Sequence, residues 1–177
     1  MKKIKPESGF SLVELLIVVV IIGIIAAIAI PNLMAARRAA NEASAISDLR
    51  LIHTAQMTYS STIGHGNFAG NPGSAVNVES LTQLGAAKLI DDLVAGGFKS
   101  GFQFTGGKVD GSGTVPSTFC LRAVPSVGSG IYSTGPRNIA VATDGVLYAA
   151  VATDVNNSGC SVVSGTLTVT SASPLSY

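Results

Sequence analysis

From Leu15 to Ala36 the chain carries no charged side chain, and nothing else in its sequence constrains the architecture as strongly. As a helix, residues 10–30 extend about 31 Å, the depth of a bilayer's hydrocarbon layer. Such a segment must be covered by lipid or by other apolar chains. Ahead of it stand Lys2, Lys3 and Lys5, a basic cluster that favours keeping that end in the cytoplasm and exporting the C-terminal domain. The net charge of the 177 residues is +1; Lys2, Lys3, Lys5 and Glu7 supply +2, so the remainder carries −1. A remainder so near neutrality has no basic stripe, and there is no direct sequence signal for nucleic acid.

Glu14 breaks the apolar pattern. It is a lone carboxylate in front of "LLIVVVIIGIIAAIAI", where lipid offers no partner, and an unpaired intramembrane charge marks function by default. A cleaved secretory signal, with Ala27 to Ala29 as a small-residue site, and an ordinary anchor both leave this carboxylate unexplained. "KKIKPESG" followed by "FSLVELLIVVVIIGIIAAIAIPNL" resembles the leader and first helix of type IV prepilins, the bacterial pilus subunits, and of the related pseudopilins. The match is specific because basic leader, glycine, aromatic residue, glutamate and unbroken apolar run occur in fixed order, and it extends over about residues 1–55.

The resemblance implies that a prepilin peptidase cuts after Gly9 and methylates the new amino terminus on Phe10, with Glu14 as the family's characteristic glutamate. Cleavage creates an α-amino group that stays positive near neutral pH. In an apolar filament core, the amine of one subunit can pair with Glu14 of another. That pair acts as a registry device more than as a source of stability, because desolvation offsets much of its Coulomb gain. The implied partners are identical subunits in a helical filament, an inner-membrane assembly platform and cytoplasmic assembly ATPases, with membrane lipid around the helix before assembly. Gly23 and Pro31 weaken the helix, and the resemblance implies that this stretch can lose helicity on assembly.

Beyond Pro31 the pattern becomes amphipathic. Ala39, Ala43, Ile46, Leu49, Ile52, Ala55 and Tyr59 recur at intervals of three and four, a helical stripe, with Arg37, Arg38, Glu42 and Asp48 mainly off it. The two arginines read either as a pair snorkelling to the headgroups or as contacts between subunits. Residues 64–73 are turn-rich and end the helix; "NVESLTQL" reads as a short helix with Asn77 at its cap. After Gly101 the period drops to two in "FQF", "STFCLRAV", "RNIAVAT", "VLYAAV" and "SVVSGTLTVT", with Asp144-Gly145 as a hairpin signal. The expected fold is α+β: a long N-terminal α-helix, its apolar half protruding, packed against a four- to five-stranded antiparallel sheet. The expected organisation is a cleaved leader at 1–9, a transmembrane or filament-core helix at 10–30, its amphipathic half at 31–61, and a globular β head at 62–177. By resemblance, the head's 64–100 segment matches the family's αβ-loop, and the region between the cysteines its disulfide-bounded region.

The two cysteines, Cys120 and Cys160, leave none over if paired, and an exported head meets oxidising conditions that favour a bridge. Closing a loop of about 40 residues would stabilise the fold by roughly 4 kcal/mol. "DVNNSG" places Asp154, Asn156 and Ser158 at alternate positions like the first half of a calcium loop, but Gly165 stands where the bidentate glutamate belongs, so a hydrophilic turn is preferred. His53 and His65 lack neighbours at ligand spacing, and His53 reads as a surface or interface residue. No nucleophile motif appears, no cofactor is implied and nothing argues for an enzyme. The leading expectation is a major type IV pilin, held in the inner membrane with its head outside the cytoplasm and polymerised into a surface filament for adhesion, twitching motility or DNA uptake. A type II secretion pseudopilin is the alternative. A membrane-tethered periplasmic binding domain that never polymerises is a third reading, and it predicts a retained leader.

Overall fold

The computed structural model describes residues 9–72, 77–130, 132–151, 161–163, 166–168 and 173–175. Its dominant element is a single helix, α1 (Leu12–Thr62), which runs unbroken through Gly23 and Pro31. The chain divides into two compact units, Met1–Ala36 and Arg37–Tyr177. In the first, the large apolar side chains between Leu12 and Leu33 are all exposed, leaving a helix long and apolar enough to cross a membrane.

The second unit is α+β. Two short helices, α2 (Glu79–Ala86) and α3 (Asp92–Ala95), lead into strands β1 (Phe98–Lys99), β2 (Phe102–Val109), β3 (Thr118–Pro125), β4 (Arg137–Ala142) and β5 (Leu147–Val151). After them come β6 (Ser161–Val163), β7 (Thr166–Thr168) and β8 (Ser173–Pro174). The main sheet is antiparallel throughout, in the order β1-β2-β3-β4-β5-β8. It is therefore one strand wider than expected, because two-residue strands at both edges are too short to leave a period-two signature.

Period two sorts the side chains onto two faces. The inner face presents Phe102, Phe104, Phe119, Leu121, Ala123, Ile139, Val141 and Leu147, which share one buried cluster with Ala45, Leu49, Ile52 and Ala55 of α1. Leu81 and Leu84 bring α2 into the same cluster, and Asn77 bridges to Gly106 of β2. That approach needs glycine: a Cβ on Gly106 would lie 2.6 Å from Leu121 Cδ2 and 2.9 Å from Ser80 Oγ. The N-terminus of α2 differs from expectation by one position. Val78 occupies the cap, while Asn77 Oδ1 accepts from the Glu79 N–H at 3.1 Å.

The hairpin at Asp144-Gly145 forms, with Val141 opposite Leu147. Its turn closes by the Gly145 N–H donating to the Ala142 carbonyl at 2.9 Å, and Gly145 takes φ +75°. This is a longer loop than the two-residue turn Asp-Gly most often signals. "SVVSGTLTVT" departs further from expectation. Its described residues, 161–163 and 166–168, pair as the separate antiparallel sheet β6-β7, with Val163 opposite Thr166, and β7 lies against β2 and β3. Ser164-Gly165 is a turn signal inside what reads as one strand. The outer face of the main sheet is buried as well, at Thr105, Cys120, Asn138, Ala140 and Ala142.

Candidate assembly site

At the open end of α1 the residues "SLVE" make a reciprocal cap. Glu14 Oε2 accepts the Ser11 N–H at 3.0 Å, Ser11 Oγ accepts the Val13 N–H at 3.3 Å, and the Ser11 carbonyl accepts the Leu15 N–H at 3.3 Å. Two N–H groups that the first turn leaves orphaned are thereby satisfied, as in a capping box, and the carboxylate sits at the positive end of the helix dipole. Lipid was expected to offer Glu14 no partner; the chain's own Ser11 N–H is one. The signal was legible as Ser-x-x-Glu in front of an apolar run.

Phe10, 85% exposed, stands one residue before this cap, and open space surrounds Gly9. A cut between them would put an amine next to the capped carboxylate. A carboxylate has about four acceptor sites, so a bond to Ser11 does not exhaust it.

Gly23 and Pro31 both lie inside α1. Pro31 has no N–H to give, so the carbonyl of Ala27 lacks its helical partner. Cys120 is fully buried on β3, between Gly107 and Ala142 in register. Cys160 lies outside the described residues, as do Asp154, Asn156 and Ser158. Among the described residues no group of three or more His, Cys, Asp or Glu side chains could hold a metal ion.

The stripe of α1 that packs on the sheet corrects the expected one. Its buried residues are Glu42, Ala45, Asp48, Leu49, Ile52, Ala55 and Gln56, whereas Ala39 and Ala43 are exposed. Glu42 and Asp48 can be buried because cations distant in sequence meet them. Arg137 donates to Glu42 Oε1 through Nε at 2.9 Å and through a second guanidinium nitrogen. Lys99 donates to Asp48 Oδ1 at 2.7 Å and lies 3.7 Å from Asp91 Oδ2. The hydrogen bond to Asp48 is the main cause holding the Lys99 ammonium above the usual lysine value of 10.5, with partial desolvation opposing it.

Gln56, fully buried, mimics a strand: its Oε1 accepts the Ala69 N–H at 2.8 Å and its Nε2 donates to the Ala69 carbonyl at 3.1 Å. This fixes the segment after the helix. His53 is half-buried with its ring 5.3 Å from that of Phe119, so it faces the head's interior and not a free surface.

The chain thus combines a capped, exposed apolar helix, long enough to cross a membrane, with an α+β unit that follows it in sequence. The family described as "Prokaryotic N-terminal methylation motif" matches residues 4–30. The type II secretion system core protein G of Vibrio cholerae is 37% identical over 59 residues, 33% of this chain and 40% of that protein. The type IV major pilin protein PilA of Myxococcus xanthus is 43% identical over 70 residues, 39% of this chain and 32% of that one. The type IV wide pilus major component PilA4 of Thermus thermophilus is 58% identical over 38 residues, 22% and 29%. The aligned stretch thus spans well under half the length of these relatives, and no solved structure matches the chain. The motif at residues 4–30 and these partial likenesses support a place in the type IV pilin and pseudopilin superfamily.

Proposed function

We propose that this protein is a structural subunit of a type IV pilus. Prepilin peptidase cuts the chain after Gly9 and methylates Phe10, and the head resides outside the cytoplasm while residues 10–30 hold it in the inner membrane. An assembly platform and cytoplasmic ATPases then move the helix from lipid into a helical filament of identical subunits. Glu14 receives the Phe10 amine of a neighbouring subunit, and local melting between Gly23 and Pro31 lets the helices pack. A Cys120–Cys160 bridge closes the C-terminal region against shear.

The observation that carries this reading is the methylation motif at 4–30 heading an apolar helix whose side chains find no cover in the chain's own fold. Transfer of about twenty such residues out of lipid is compensated only if other subunits' helices replace it. The pseudopilin reading keeps one specific support, the likeness to core protein G over 59 residues. The cysteine pair inclines us to the pilus.

Mass spectrometry of sheared surface filaments tests the proposal. The expected species starts at N-methylated Phe10 and has both cysteines oxidised to each other. Antibody to the head labelling no surface fibre, while mature protein accumulates in the periplasmic fraction, would overturn the pilus assignment in favour of the pseudopilus.

A further inference from the structure

The connection between β3 and β4, described at residues 126–130 and 132–136, is tied to α1 just past the uncharged run that ends at Ala36. Arg38 Nη2 donates to the Gly130 carbonyl at 3.1 Å, and one turn later Asn41 Nδ2 donates to the Thr134 carbonyl at 3.1 Å. The connection is also braced within itself: the Ser133 N–H donates to the same Gly130 carbonyl at 3.2 Å, and the Thr134 N–H to the Val127 carbonyl at 3.0 Å. Arg38 is therefore a strut for this loop, which the snorkelling and inter-subunit readings did not include. Between the two ties stands Tyr132, 83% exposed, a large aromatic side chain that the head leaves uncovered.

Depth is set by the chain itself. If the uncharged run ending at Ala36 crosses the hydrocarbon layer, positions 37 to 41 lie at headgroup level. Tyr132 is two residues from the atom that Arg38 holds, so its backbone lies within about 8 Å of the tie. Tyrosine concentrates at this depth, with its ring among glycerol and carbonyl groups and its hydroxyl in water. Exposed Arg37, next in sequence to the strut, supplies positive charge for lipid phosphates.

We infer that Tyr132, two residues from the Gly130 carbonyl that Arg38 holds, docks its loop onto the headgroup layer of the bilayer, giving the head a membrane foothold besides the helix. Its partner is the phospholipid interface. The inference rests on the membrane-spanning reading of residues 10–30, and the experiment separates the two.

The chain contains no tryptophan, so single substitutions report unambiguously. Tyr132→Trp, Ile21→Trp and Ile63→Trp are made in the full chain and reconstituted in phosphatidylcholine–phosphatidylglycerol vesicles, with lipids brominated either near the headgroup or deep in the acyl chains. Ile63 lies about 37 Å along the helix from Arg38 and serves as the control in water. The expected result is quenching of Tyr132→Trp by about twofold or more with the shallow bromines, of Ile21→Trp with the deep ones, and none of Ile63→Trp. If Ile21→Trp is quenched while Tyr132→Trp behaves like Ile63→Trp, the foothold is refuted and the spanning helix stands. If Ile21→Trp is not quenched, the spanning reading fails and takes the foothold with it.

Discussion

Two interactions are asked of one carboxylate at Glu14, and two substitutions separate them. Glutamine at the third helical position still reaches back to the Ser11 N–H, so Glu14→Gln keeps the cap and removes the charge. Glu14→Ala removes both. Loss of a cap costs about 1 kcal/mol, within a range of roughly 0.5–2. Leaving a buried amine without its counter-charge costs on the order of 3–5 kcal/mol, although the intact pair adds little net stability. In micelles, where the chain is single, hydrogen exchange at Ser11 should therefore be near native in Glu14→Gln and about fivefold faster in Glu14→Ala. Filament yield, measured as sheared subunit against membrane pool, should fall by about a hundredfold or more in both, since 3 kcal/mol is about two decades. If Glu14→Gln polymerises like the native chain while Glu14→Ala does not, the cap is the whole role of this residue and charge pairing is wrong.

The head offers three further tests, read by denaturation of the full chain in micelles. Glu42 is 8% exposed at its side chain and Arg137 is 44% exposed, so Arg137→Ala should cost about 2 kcal/mol, below the fully buried range because water screens the arginine; the double change to leucine should cost less than the single one. Gln56→Leu keeps the volume but leaves the Ala69 N–H and carbonyl unpaired in the core, and should lower stability by about 2 kcal/mol or more. Lys99 titrates above its ordinary 10.5 in the folded state, so its contribution is complete below that value and is lost as pH rises through the folded pKa. Native chain should accordingly lose stability above about pH 10.5 relative to Lys99→Met, and equal slopes for the two across that range would contradict the pairing with Asp48.

The elements that were legible in the sequence are those whose signal is local. A 22-position uncharged run, a helix period sustained past Pro31 and alternating strands each write themselves into consecutive residues, and α1 and β2 to β5 form where they stand. The expected helix stripe went astray at its start and passed over the buried polar residues Asp48 and Gln56. Beginning the count at Glu42 instead of Ala39 gives Ala45, Leu49, Ile52, Gln56 and Tyr59, the face that packs on the sheet, but this requires admitting a carboxylate to the core. Its justification, Arg137, lies 95 residues away. Lys99 stands 51 residues from Asp48 in the same way. Periodicity has no access to such partners, and a charge on a helix reads as solvated until they are known. The β6-β7 pairing was missed for the opposite reason: its turn signal was present but sat within an alternation that would also suit one strand.

The same distinction bears on Glu14, where the local signal and the distant one concern a single side chain. The cap and the proposed pairing do not compete. A free glutamate loses on the order of 1.5–2 kcal/mol of rotamer entropy when fixed, and in this chain the bond to Ser11 has already imposed that loss before a second subunit arrives. An incoming amine then meets a carboxylate in a set position at the positive end of a helix, which favours one axial register over its neighbours. Glu14→Asp tests this step, because it keeps the charge while one methylene less takes the carboxylate out of reach of the Ser11 N–H. Preorganisation predicts an assembly defect intermediate between native and Glu14→Gln, together with faster exchange at Ser11. Native filament yield from Glu14→Asp with the Ser11 bond demonstrably lost would show that charge alone sets the register and that the cap serves only the helix.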